Sequence, residues 1–172
     1  MEIIRGGAGD VVTAASIWAH AVARRDGYEV PSLEEARPGI ENALSNDPAL
    51  FLLALDGGEA VGFVAGGPQG TDTAFVNYVG VHPGAWGRGV GEALLRALPG
   101  VLIENGYERA ELLVFVDNVR GVRLYERLGW IKAGAPVPHP RHGRVEQRYS
   151  FSPASWDGEP AVFSGGLGDQ PQ

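Results

Sequence analysis

The stretch from Val79 to Leu98, V-G-V-H-P-G-A-W-G-R-G-V-G-E-A-L-L-R-A-L, constrains this chain more than any other. An extended segment rich in β-formers runs to His82-Pro83, glycines follow at positions 87, 89 and 91, and a helical apolar period begins near Gly89. Glycines at a helix N-terminus let backbone N–H groups approach a ligand closely, where the helix dipole favours an anion. The stretch therefore reads as a phosphate cradle. A plain strand-to-helix turn would need neither three spaced glycines nor the charge of Arg88.

What surrounds the cradle is bounded by size and composition. A chain of 172 residues, 44% hydrophobic, can bury one good core and suits one domain. No apolar run reaches the ~20 residues of a membrane span, and no basic-then-apolar leader opens the chain. A soluble, cytoplasmic protein is expected, with no membrane partner. The chain has no cysteine, which removes disulfides, thiolate metal sites and an acyl-cysteine intermediate.

The net charge of −7 argues against nucleic acid as a partner, and its distribution is uneven. Residues 26–59 hold Asp26, Glu29, Glu34, Glu35, Glu41, Asp47, Asp56 and Glu59 against Arg37. From Val116 to Tyr149 the sign reverses, with Arg120, Arg123, Arg127, Lys132, Arg141, Arg144 and Arg148 outnumbering Asp117, Glu126 and Glu146. One end suits a cation and the other an anion, although solvated surface charge explains any single residue equally well.

In chain order, Glu2 to Arg5 reads as a strand, and Asp10 as the cap of a helix whose stripe is Ala14, Ile17, Trp18, Ala21 and Val22. Ser32 and Glu35 form a capping box for a second helix, which Pro38-Gly39 should break. Ala49 to Leu55 and Ala60 to Ala65 read as a hairpin around Gly57-Gly58, and a loop from Gly66 to Asp72 leads to a long strand, Thr73 to Val81. Beyond the cradle, Pro99 predicts a kink or break at Leu98. Arg109 to Val116 is a strand, Asn118 caps a helix carrying Val122, Leu124, Tyr125 and Leu128, and Trp130 to Ala133 and Val145 to Phe151 are the last strands. The remainder, 152–172, reads as a Ser/Pro/Gly-rich tail that Trp156, Val162 and Phe163 could dock. An exposed C-terminal strand and this tail favour a homodimer.

This order, together with V-H-P-G-A-W-G-R-G-V-G-E-A-L-L and D-N-V-R-G-V-R-L-Y-E-R-L-G-W, resembles the GNAT-type N-acetyltransferases over most of residues 1–151. The resemblance implies an α/β fold: a mixed, mostly antiparallel twisted sheet, helices on both faces, and a V-shaped splay between the fourth and fifth strands. It implies an enzyme moving acetyl from acetyl-CoA to a primary amine in a ternary complex, with a small amine or a peptide N-terminus as acceptor and no metal. Residues 1–151 would be the catalytic domain. By the same likeness the cosubstrate is held by Val79, Val81, Trp86, Gly87, Arg88, Gly89, Val90, Gly91, Glu92, Asn118 and Tyr125. Trp86 departs from the family's Gln or Arg at the head of the glycine motif, and Arg88 is the substitute charge.

The resemblance places Tyr125 beside the thioester sulfur, and as a phenol of pKa ~10 it is the expected general acid at the thiolate. The base is unassigned. Thr73 to Val81 carries no carboxylate, which favours a water held near Asn77, while His82, His139 and His142 are better read as structural or solvated. The histidines show no metal-ligand spacing. The acidic segment 26–59 is expected to wall the acceptor side for a cationic amine. Two other readings share these residues: a catalytically silent acyl-CoA sensor of the same fold, and a dinucleotide oxidoreductase. The second fits poorly, because the turn is G-x-G-x-G and follows the third long strand.

Overall fold

The computed structural model describes residues 1–159 and Phe163. Strands β1 (Glu2–Arg5), β2 (Leu50–Asp56), β3 (Glu59–Pro68), β4 (Thr73–Val81), β5 (Arg109–Phe115), β6 (Ile131–Lys132), β7 (Val137–Pro138) and β8 (Val145–Phe151) form one sheet in the order β1-β2-β3-β4-β5-β8-β6, with β7 also on β8. Among the described strands, only β4 and β5 run parallel. Helices α1 (Val11–Asp26) and α2 (Leu33–Ala43) bury Ala14, Ala15, Ile17 and Ile40 against Leu53, Phe63 and Ala65 on one face. On the other, α3 (Val90–Glu104) and α4 (Val119–Arg127) close over the larger core that includes Leu52, Val64, Val76 and Leu112. This is the mixed, helix-covered sheet expected.

The splay has a local cause. β4 and β5 pair at only three positions, Thr73 with Arg109, Ala74 with Ala110 and Phe75 with Glu111, after which they part. At the same level the pairing of β3 with β4 jumps from Gly66–Val76 to Ala65–Tyr78, leaving Asn77 as an extra residue in β4. Such a bulge bends its strand and increases its twist. It also resets the alternation, since Ala74 and Val76 and then Val79 and Val81 all face the larger core. Gly66 makes room for the kink, because a Cβ there would lie 2.2 Å from the Phe75 carbonyl oxygen.

Several expectations need correction. Neither internal proline breaks its helix. Pro38 lies within α2, where the capping box is made (the Ser32 N–H donates to Glu35 Oε2 at 2.8 Å) and Ile40 is fully buried. Pro99 lies within α3, which continues to Glu104 because Leu98, Val101 and Leu102 are pinned against the sheet. Burying one such side chain contributes about 1.5–3 kcal/mol, so three of them outweigh the ~3 kcal/mol of the proline. Asp10 sits at the start of α1, but its carboxylate accepts the Gly7 N–H at 2.8 Å and caps the preceding turn. β3 extends through Gly66 and Gly67 to Pro68, shortening the expected loop, and β7 adds a short strand inside the proline-rich loop.

β8 is not an edge strand. It is paired with β5 on one side and with β6 and β7 on the other, which removes that ground for a homodimer. Trp156 and Phe163 do pack on the larger core, with Trp156 edge-on to Phe151 at 5.9 Å between ring centroids; Val162 lies outside the described residues.

Candidate active site

A cavity of about 740 Å³ opens where β4 leaves β5. Val79 and Val81 form its floor, Ala85 to Gly87 and Gly89 to Glu92 one wall, Asp117 to Gly121 with Leu124, Tyr125 and Arg127 a second, and Trp18, Ala21, Val22, Arg24 and Arg25 of α1 a third. Gly87 and Gly89 have φ of 79° and 78°, a region that glycine enters without penalty, so the chain can pass from the end of β4 into α3 in a few residues. The next residues start α3, whose first N–H groups have no partner within the helix.

The floor presents main-chain groups as well. In a strand the N–H and C=O of one residue leave on the same side. The Val81 carbonyl accepts the Trp86 indole N–H at 2.7 Å, whereas the His82 N–H turns back to Val61 of β3 at 2.8 Å. Val81, and Val79 two residues earlier, therefore direct their N–H groups into the gap that β5 has vacated.

Tyr125 is held by α4, whose first turn is fixed by Asn118: its Oδ1 accepts the Gly121 N–H at 3.2 Å. The ring packs against Trp130 at 5.9 Å and Tyr149 at 6.4 Å. Burial pushes the Tyr125 hydroxyl up to about 12, with Arg25 pulling slightly the other way. The Tyr149 hydroxyl is pushed up to about 12 by burial and by Glu126, to which it donates at 2.8 Å. Both phenols stay protonated in the folded state while their unfolded counterparts ionise near pH 10, so the unfolded state holds fewer protons and stability falls as pH rises from about 10 to 12. At 1.36 kcal/mol per unit the buried Tyr125 costs about 2–3 kcal/mol across that window, and Tyr149 adds to it in the same direction. Thermal melts should show a Tm that drops steeply above pH 10, and the drop should shrink in Tyr149→Phe.

Of the residues expected to hold a ligand, all but Arg88 line this cavity, and Asn77 does not. Arg88 pairs with Asp56 at the β2–β3 hairpin. Asn77, as the bulge residue, lines a separate polar pocket of about 330 Å³ with Asn42, Asn46, Gln69 and Arg148. It is thus not brought together with Tyr125, and the expected water site near Asn77 lies apart from the phenol. His82 accepts the Gly84 N–H at 3.1 Å and sits by His20, while His139 and His142 stack on each other at 3.9 Å; none of the four lines the cavity. No group of three or more His, Asp or Glu placed to hold a metal occurs among the described residues.

The expected acidic wall is not part of this cavity. None of the eight acids of 26–59 lines the cavity. Glu35 is used by its cap, Glu41 by Arg37, and Asp56 by Arg88. Asp26 lies under Arg25 and Arg144, and the two Arg25 hydrogen bonds hold its carboxyl below the usual carboxylate range. The α1 wall instead offers Arg24 and Arg25, with Arg25 5.4 Å from the Phe115 ring. The acids on the cavity wall, Glu92 and Asp117, are themselves tied to Arg96 and Arg127 and to Arg144. Trp18, Ala21, Val22 and Arg25 follow one helical stripe, and that stripe forms the α1 wall of the cavity.

A mixed sheet split beside a glycine turn defines a class of small α/β domains built to clasp an extended, phosphate-bearing ligand. Within that class the chain belongs to the acetyltransferase (GNAT) family, whose model matches residues 16–130. Acetyltransferase SG1711 of Sodalis glossinidius is 43% identical over 89 residues, which is 52% of this chain and 62% of that relative, so the match spans under two thirds of the relative's length. The fold is shared with the ribosomal-protein-S18-alanine N-acetyltransferase of Escherichia coli (TM-score 0.70, 22% identity, covering 94% of this chain and 98% of that one). It is also shared with yncA of Salmonella typhimurium, solved with its cofactor acetyl-CoA (TM-score 0.69, 18% identity, 94% and 99%).

Proposed function

We propose that residues 1–151 form an N-acetyltransferase that moves an acetyl group from acetyl-CoA to a primary amine within a ternary complex, and that it works in the cytoplasm. The observation that carries this is one cavity lined together by the glycine turn, the unpaired edge of β4 and the Tyr125 side chain. Acetyl-CoA fits it on three counts: amides of the glycine turn for the pyrophosphate, free N–H groups of Val79 and Val81 for the pantetheine amides, and a buried phenol for the sulfur. When bound, the cosubstrate supplies an acyl thioester.

The chain's own groups do the rest. An amine of pKa ~10.4 must lose a proton at neutral pH at a cost of roughly 4–5 kcal/mol. The wall's carboxylates are both ion-paired, so solvent reaching the cavity is the acceptor of that proton. An N–H of Val79 or Val81 stabilises the oxyanion. Tyr125, protonated at every working pH, donates to the departing sulfur. With no cysteine in the chain, no acyl-cysteine can form, and transfer runs directly from thioester to amine.

Arg24 on the α1 wall, which has no acid partner among the described residues, favours an acceptor bearing an anionic group near its amine. In an assay of CoA release, amino acids should show KM values roughly tenfold below those of matched uncharged amines, and polyamines should be poorest. The reverse order would reject this acceptor class. Thermal shift with acetyl-CoA, CoA and NAD tests the wider reading: stabilisation by NAD alone overturns it, and stabilisation by CoA without release against any amine favours a silent acyl-CoA sensor.

A further inference from the structure

We propose that Arg120, carried on the face of Trp86, is the cation that neutralises the phosphate charge of the cosubstrate, with Trp86 as its positioning residue. This rests on the acetyl-CoA reading and names a group that the glycine motif itself does not contain. The cradle's amides offer only partial positive charge, while a pyrophosphate brings full negative charges to it.

Most guanidiniums near the cradle are already committed to acids. Arg88 pairs with Asp56, Arg127 with Glu92, and Arg25 with Asp26. Among the described residues, Arg24 and Arg120 are the cavity-wall arginines without an acid partner. Arg120 alone of these two has a seat: its guanidinium lies 5.2 Å from the centroid of the Trp86 ring.

That seat is rigid. The indole N–H of Trp86 donates to the Val81 carbonyl at 2.7 Å and its backbone N–H to Pro83 at 3.2 Å. Trp86 immediately precedes Gly87, so ring and cradle move as one piece. The first turn of α4 is fixed in its turn by the Asn118 cap. A guanidinium can stack through its face and still present N–H groups at its edge, where a phosphate takes two of them side by side. An ammonium can sit on the ring and still donate, but it has no planar pair of N–H groups to offer side by side. The indole at the head of the motif thus supplies no charge itself but holds a charge delivered from α4.

The test compares full-length wild type with Arg120→Ala, Arg120→Lys, Trp86→Phe, Trp86→Ala and the double alanine variant. Calorimetry reads CoA binding, and kinetics use acetyl-CoA and S-acetylpantetheine, which keeps the thioester and lacks the phosphates. Arg120→Ala should weaken CoA about 10- to 150-fold, the range of a hydrogen bond to a charged group, and raise KM for acetyl-CoA alike with kcat within about twofold. Turnover of S-acetylpantetheine should be unchanged. Trp86→Ala should match Arg120→Ala, the double variant should be no worse than either single, Trp86→Phe should keep most of the affinity, and Arg120→Lys should recover only part. If wild type fails to bind CoA, the acetyltransferase reading falls and this inference with it. If wild type binds and Arg120→Ala binds within twofold, or loses S-acetylpantetheine turnover equally, this inference alone is overturned.

Discussion

Tyr125→Phe should lower kcat by roughly 10²-fold while leaving the KM for acetyl-CoA near its wild-type value. Only the hydroxyl is removed; the ring keeps its packing on Trp130 and Tyr149, so the variant should fold. The size of the effect follows from the environment. A thiol ordinarily has a pKa of about 8.5, so complete proton transfer to its thiolate from a phenol pushed up to about 12 is uphill by roughly 5 kcal/mol. Tyr125 therefore acts chiefly by hydrogen bonding to charge as it develops on sulfur, which places the loss toward the lower end of the 10²–10⁴ range of general acid catalysis. The same burial means that phenol ionisation should not limit the rate below about pH 12. A kcat within threefold of wild type would reduce Tyr125 to a core aromatic.

Gly66→Ala should be the most damaging single methyl in the sheet. Its Cβ would lie 2.2 Å from the Phe75 carbonyl oxygen and 3.0 Å from the Val76 Cα, both main-chain atoms, so β3 and β4 would have to separate. A loss of about 3 kcal/mol is expected, or roughly 6–12 °C in Tm for a domain of this size, and CoA affinity should fall because the bulge that opens the site is disturbed. Gly62→Ala is the control. Its closest neighbour is a side-chain methyl of Val90 at 2.6 Å, which can shift more readily than backbone, so it should cost less. Equal melting temperatures for the two variants would mean that β3 is not rigidly tied to the kink.

Much of this was legible in the sequence. The strand and helix on either side of the glycine turn, the capping box at Ser32 and the Asn118 cap are local patterns, and local chemistry decides them. Local rules failed where tertiary packing overrode them: Pro38 and Pro99 violate helix preference but are outweighed by Ile40 and by Leu98 with its neighbours. Charge patterning failed for a different reason. Counting the acids of 26–59 says nothing about which are consumed by caps and ion pairs, and it hid the arginines that end α1 and line the cavity. The position of Trp86 looked like a loss of charge, because the residue that carries the charge, Arg120, lies 34 positions away and meets it only through the fold.

The opening of the sheet has a consequence for how such a chain can change. Because Val76 and Val79 face the same core, deleting Asn77 would give a strand of perfectly regular alternation with every buried contact retained. Nothing in the hydrophobic pattern demands the extra residue, and a chain shorter by one could zip β4 to β5 along their length and seal the cleft. Catalytic competence thus depends on a residue count as much as on residue chemistry. Substitutions can reshape what lines the gap or, as at Gly66, disturb the kink, whereas the extra residue itself is gained or lost only by insertion or deletion, in whole steps of the backbone.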